Sequence, residues 1–471
     1  MIGQVEFGGI NNNHKNRIDM KKLAQVFLFL IVTIVFAISC SNEDEAASQA
    51  EGRVFIPRVF NETSLFPENV DSVRVLSVNQ PLVFSGLKFS PGGKVAISWK
   101  INDTEVSTDP NYTFVSEQGG DFRIKLDVSY EGTTISRYRD VFVVPPTYTP
   151  KTSNNFIVSF LTDNANDKSI EWDKITHAVY KIATVTATGT MDVSKGEAHR
   201  KAEKLVGRGH LNGVPVLLGI SGALSGDGWN VNGSFNFGNA IRDNAKRAAL
   251  VTAIKNYITA KKMDGVDIMM TDIGGAAASV TPSMVAVGTF INDLRTALGA
   301  QAIITTTVTS DNTHTRYPAN SLSGANWINV HAFEDGLHVG PNAVLGQSSG
   351  YDYFVSCANI WKAKYPTSKL VIGIPAMGLR YNTLNASGNN LSWTSYDYIP
   401  YKTILDLVPN VFDKEYTASI AKGVYFNGVP LVTQKAAYLK ANGYLGAYIW
   451  AGDYDTKEAN SLTRAISTSL K

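Results

Sequence analysis

The sequence predicts an α/β protein: a (β/α)8 barrel preceded by a small all-β sandwich. Two patterns carry this expectation. Over residues 154–471, eight short apolar runs alternate with amphipathic runs of helical period, as in a parallel sheet whose strands are joined through helices. Over residues 53–146, short alternating runs are separated by closely spaced turn residues, as in a sandwich. A doubly wound sheet is the alternative for the larger region. Eight strands without a glycine-rich phosphate loop favour the closed barrel.

At 471 residues the chain is long enough for two or three domains. It is 44% hydrophobic and 18% charged, with a net charge of +2. No basic block argues for a nucleic-acid partner, and no acidic tail argues for a charged one. No His/Cys cluster has metal-ligand spacing, so neither metal nor cofactor is expected.

Residues 1–19 are polar and patternless, and read as an extension upstream of the natural start. Met20-Lys21-Lys22 then opens a signal peptide over 20–39, a cationic start followed by the apolar run Leu23–Ile38. Ala37-Ile38-Ser39-Cys40 resembles a bacterial lipobox, cleaved before Cys40, which is then acylated. A transmembrane anchor is the competing interpretation, and the run is short for one. Several acyl chains on Cys40 would anchor the protein to the outer membrane, since each buried CH₂ contributes ~0.8 kcal/mol. Residues 40–52 form a polar tether. Its Glu43-Asp44-Glu45 resembles the surface-export signal of Bacteroidetes lipoproteins, which implies a cell-surface location. Cys357, in an apolar segment, is expected to be a buried structural thiol.

Within 53–146, Val95–Trp99, Tyr112–Phe114 and Gly120–Val128 resemble the strands of PKD-type, immunoglobulin-like modules. Trp99 is then a core residue and the module a spacer. A proline-bearing linker follows at 147–153.

The barrel strands are expected at Phe156–Phe160, Ile175–Ile182, Pro215–Ile220, within Met263–Gly275, and at Ala302–Val308, Trp327–Phe333, Leu370–Pro375 and Leu445–Trp450. Helices are expected at Ala240–Lys262, at Met284–Leu298 after Pro282, and at Tyr353–Lys364. The segment from Asn382 to Pro430 is a long insertion between the last two strands, with a hairpin at Tyr425–Gly428.

The fourth strand is the most informative. Asp264 and Asp267 sit in an apolar run, where an acid is costly unless paired or working. Its letters, DGVDIMMTDIGG, resemble the DGxDxDxE signature of glycoside hydrolase family 18, the chitinases and endo-β-N-acetylglucosaminidases. Ile328–Glu334, Leu370–Gly378 and Gly443–Trp450 are similar to that family's patterns for strands six to eight, in the right order. The resemblance covers about two-thirds of the chain.

It implies a substrate-assisted glycosidase frame from which the chemistry has gone. The third acid of the pattern is Met269, and the terminal glutamate, the family's proton donor, is Thr271. Residues two apart on a strand share a face, so Asp267, Met269 and Thr271 should point into the barrel mouth. Loss of a general acid alone forfeits ~10²–10⁴-fold in rate. Asp272 and Glu334 are the candidate displaced acids; Asp453 and Asp455 lie just beyond the last strand. Asp264 is expected to tie down backbone.

Binding groups are better retained. Trp450 matches the family tryptophan that floors the central subsite; a core tryptophan is the alternative. His331, Phe333, Glu334, Asp267, Trp229 and Tyr381 are the other candidate glycan contacts. The expectation is a catalytically inactive, surface-anchored protein binding a glycan that contains N-acetylglucosamine, of N-glycan or chitin type, alongside other surface glycan-utilisation proteins. The alternatives are an active enzyme using a displaced acid, and a protein-contact scaffold with no sugar site, which a fully buried Trp450 would favour.

Overall fold

The computed structural model describes residues 55–67, 73–186, 188–194, 196–222, 234–269, 277–310 and 312–471. The leader, Cys40 and the tether lie outside these residues.

Eight parallel strands form the barrel: β1 Phe156–Leu161, β2 His177–Val185, β3 Val216–Ser221, β4 Gly265–Met269, β5 Ile303–Val308, β6 Trp327–Val330, β7 Leu370–Pro375 and β8 Gly446–Trp450. Each pairs with its neighbour in chain order, and β1 pairs with both β8 and β2, which closes the ring. The strands are almost wholly buried because helices cover the outside and side chains fill the inside. All eight fall where the apolar runs predicted. β6 stops at Val330 rather than Phe333: its last ladder partner is Val308, and the chain then turns away, with Glu334 in the left-handed region at φ +64°.

The helices are α1 Ala198–Leu211, α2 Ser234–Arg242, α3 Asn244–Lys261, α4 Ala277–Leu298, α5 Tyr351–Lys362, α6 Tyr401–Leu407, α7 Val429–Ala441 and α8 Leu462–Leu470. The single helix expected at Ala240–Lys262 is broken at Asp243. Its backbone is extended there and its carboxylate accepts from the Lys246 N–H, so it caps a new helix. α3 buries Leu250, Val251, Ile254, Tyr257 and Ile258, one stripe at helical spacing. α4 begins before Pro282, not after it.

The insertion after β7 is an antiparallel sheet of Met377–Tyr381, Tyr396–Pro400, Tyr416–Thr417 and Val424–Phe426, with α6 inside it. Tyr425–Gly428 is not a hairpin. Phe426 ends a strand and Gly428 caps α7.

The N-terminal module is a five-stranded sheet and two short strand pairs around one apolar core. Trp99 is 0% exposed, flanked by Phe84 and Tyr112, and its indole N–H donates to the Asp109 carbonyl at 2.9 Å. The module docks on α1. Arg208 forks onto Asp121 of the module at 2.5 and 2.7 Å, reaches Asp167 at 3.0 Å, and lies over the Phe142 ring. Burial alone would push the Asp121 carboxyl up, but its bond and charge pairing with Arg208 override this and hold it below 3.8.

Candidate functional site

The two acids of the fourth strand serve opposite ends of the barrel. Asp264 sits at the N-terminal end. It accepts from the Tyr148 hydroxyl at 2.5 Å, from His210 Nε2 at 2.9 Å and from the Val216 N–H at 2.7 Å. Tyr148 belongs to the interdomain linker, and its ring lies parallel to His210 with centroids 3.9 Å apart. Asp264 therefore ties the linker and the start of β3 to the base of the barrel. Gly265 beside it is required by close packing: a Cβ there would lie 1.8 Å from the Ile303 carbonyl oxygen.

Asp267 is in the barrel interior and 0% exposed. Parallel pairing aligns it with Gly219 on β3 and Thr305 on β5, so all three face inward. It accepts from the Thr305 hydroxyl, from Thr307 Oγ1 at 2.7 Å and from Asn329 Nδ2 at 2.9 Å. Asn329 is oriented in turn by the Trp327 indole N–H, which donates to its Oδ1 at 3.0 Å. Burial pushes the Asp267 carboxyl up to about 6; the three donors oppose the shift without cancelling it. The side chain is thus a fully engaged acceptor linking β4, β5 and β6.

Met269, one layer nearer the mouth, aligns with Ser221 and Thr307 and is also 0% exposed. A thioether there can fill space but cannot orient an amide through a charge. Thr271 and Asp272, which follow it, lie outside the described residues, as does Trp229.

Trp450 aligns with Phe160 and Pro375, packs against the Phe160 ring at 5.7 Å and is 1% exposed. Phe333 is 1% exposed and meets the Tyr448 ring edge-on at 6.2 Å. In this structure neither residue presents a ring face to solvent; both pack the barrel top. Tyr381 is likewise buried. Its hydroxyl donates to the His338 carbonyl at 2.9 Å and accepts from the Gly346 N–H at 3.3 Å, and burial pushes its pKa up to about 12. It braces the loop after β6 against the insertion.

His331 and Glu334 are brought together, with Nε2 to Oε2 at 3.3 Å and the His331 ring 3.8 Å from that of Phe333. The Glu334 side chain keeps 18% of its surface open. Burial first, and the Glu334 charge second, raise the hydroxyl pKa values of Tyr396 and Tyr398 in the insertion. Asp453 and Asp455 are committed elsewhere. Asp453 accepts from Thr162 N–H and Oγ1 at 3.0 and 2.5 Å, and Asp455 caps α8 through the Leu462 and Thr463 N–H groups. Both carboxyls are raised by burial against these bonds. Among the described residues, Glu334 is thus the candidate acid left partly open, and no cluster of three His, Cys, Asp or Glu could hold a metal.

The partners of Asp267 were not anticipated from sequence. Thr305 and Thr307, two apart in a buried strand, and Asn329, polar among apolar neighbours, were the available signal. Lys181 on β2 was missed too. It is half-buried, and the ladder aligns it with Gly219, in the layer of Asp267.

Comparison with known proteins bears on this geometry. The sequence model of the glycosyl hydrolases family 18 matches residues 152–455, and that of a PKD-like domain matches residues 93–130. No curated protein sequence matches the chain. Among solved structures, a chitinase from Bacteroides thetaiotaomicron is similar, with 22% identity, a TM-score of 0.55 and coverage of 68% of this chain and 97% of its own. A class V chitinase from Nicotiana tobaccum in complex with NAG4 has 19% identity, a TM-score of 0.53 and coverage of 67% and 99%. A chitinase-like agglutinin from Robinia pseudoacacia has 15% identity, a TM-score of 0.53 and coverage of 67% and 99%.

Proposed function

We propose that this chain, which belongs to the glycosyl hydrolases of family 18, binds a glycan containing N-acetylglucosamine without hydrolysing it. One observation carries the reading. Asp267 is held by three donors inside the barrel, and the next inward position is the buried Met269. General acid catalysis needs a carboxyl within reach of the glycosidic oxygen and free to give up its proton. Asp267 has neither freedom nor exposure, and Thr271 has too weak an acid at the position of the family's donor. The family barrel supports the sugar class, and binding without turnover is compatible with a fold shared by a chitinase-like agglutinin.

The lipobox-like Ala37–Cys40 and the acidic tether support a lipid anchor in the outer membrane, with the barrel facing outward to capture glycan or pass it to neighbouring surface proteins. The docked N-terminal module would then hold the barrel away from the bilayer.

Calorimetric titration with chitin oligomers and N-glycans, with the glycans recovered and analysed afterwards, tests the reading. Binding with intact glycan supports it. Turnover that Glu334→Gln or Asp272→Asn abolishes would replace it with an enzyme using a displaced acid. The 1% exposure of Trp450 favours a second reading, a protein-contact scaffold, and absence of binding to every glycan would select it.

A further inference from the structure

Six tryptophans lie among the described residues. Trp99, Trp172, Trp327, Trp361 and Trp450 are 5% exposed or less, whereas Trp393 is 66% exposed. A single exposed apolar side chain is ordinary; what sets this one apart is a flat indole face held in place by its neighbours. Trp393 is in the insertion, on the segment leading into the strand Tyr396–Pro400, whose Tyr396 pairs with Tyr381, the residue bonded to the loop after β6.

The ring is seated, not dangling. It rests against the backbone of Gly340, in the loop after β6, where a Cβ would lie 2.8 Å from the indole Cη2 and where φ is +92°. Only glycine fits that position. Asn390 fixes the two segments to each other: its Nδ2 donates to the Gly340 carbonyl at 2.7 Å and to the Ser392 carbonyl at 2.8 Å. Its backbone adds two bonds to the same loop, from Asn342 N–H at 2.8 Å and to the Ala343 carbonyl at 2.9 Å. Exposed Leu391 and Val344 flank the region, and Asn342 and Asn385 supply side-chain amides, joined to each other at 2.9 Å.

We infer that Trp393, seated on Gly340, is an outer subsite that stacks a distal hexose ring of the bound glycan. This rests on the glycan-binding reading and deepens it: the ligand extends from the mouth along the insertion wall. A pyranose offers a flat C–H face with hydroxyls around its edge. A rigid, uncharged aromatic platform beside amide donors and acceptors matches that chemistry. The patch is small, one indole and two aliphatic side chains, which suits one ring better than a protein interface of standard size.

Trp393→Ala removes the platform while sparing the core, so the variant should keep the wild-type melting temperature. Its affinity for chitohexaose, or for a high-mannose N-glycan, should fall by about tenfold or more, while that for N,N′-diacetylchitobiose stays unchanged. Gly340→Ala, which displaces the ring, should reproduce this loss, and Trp393→Phe should restore part of it. Unchanged affinity for long and short probes alike would overturn the subsite while leaving glycan binding intact. Equal losses for both would also overturn it, by placing Trp393 in the central site. A wild-type protein that binds none of the probes would remove the underlying reading and the subsite with it.

Discussion

Replacing Asp267 with Asn separates a structural acid from a catalytic one. The carboxyl is moved from 3.8 to about 6 by burial. A group raised in this way favours the folded state most while protonated, below about pH 4, and that stability is lost as pH rises through 6. The loss amounts to about 3 kcal/mol by neutral pH. Asparagine carries no charge and can keep the contacts. Its oxygen takes the place of Oδ1, which receives Thr305 and Asn329, and its amide donates to Thr307 once that hydroxyl turns. The wild-type profile alone would not reveal the effect. His177, pushed down to about 4 by burial, contributes stability above pH 6.5 that is lost as pH falls through 4, a change of similar size and opposite slope. The difference between variant and wild type isolates Asp267. Urea unfolding at pH 4, 5, 6 and 7 should show Asp267→Asn gaining on the wild type by about 3 kcal/mol across that window. Asp267→Leu, which strands the donors, should instead destabilise by roughly 3–5 kcal/mol. A pH-independent difference for Asp267→Asn would refute the assignment of a buried, charged acceptor.

Two further predictions test the scaffold. Arg208→Ala removes the fork onto Asp121 and one of the two cations on buried Asp167, leaving Lys204 at 2.9 Å. It should cost about 2–3 kcal/mol, reduced by the half-exposure of Asp121, and small-angle scattering should show the module swinging away from α1. Lys435 is buried, donates to the Ser349 carbonyl, Ser349 Oγ and Asn427 Oδ1, and is pushed down to about 7 by burial. The stability it contributes is present above pH 10.5 and lost as pH falls through 7. Lys435→Met, assayed by urea unfolding, should therefore be destabilised by about 2 kcal/mol at pH 9 and clearly less at pH 6.

The barrel was legible because each strand is a buried apolar run and the helices between them carry a regular stripe. Boundaries were harder where one residue decides them: Asp243 caps α3 with its carboxylate, and Gly428 precedes α7 where a Cβ would lie 2.1 Å from the Lys414 carbonyl oxygen. The site was legible only in part. Strand parity placed Asp267 and Met269 on the inner face, but parity says nothing of depth. Whether an inward acid meets substrate or three donors depends on Thr305, Thr307 and Asn329, which come from two other strands. The same limit applies to Trp450, Phe333 and Tyr381. Their residue types suit sugar stacking, yet each is buried, while Trp393 carries the exposed ring.

The most direct measurement is a paired one on the full chain: titration with a chitobiose-core glycan at stoichiometric protein, followed by mass spectrometry of the recovered sugar. Saturable binding with the glycan recovered whole is the expected result. Release of a shortened glycan, abolished by Glu334→Gln, would contradict it.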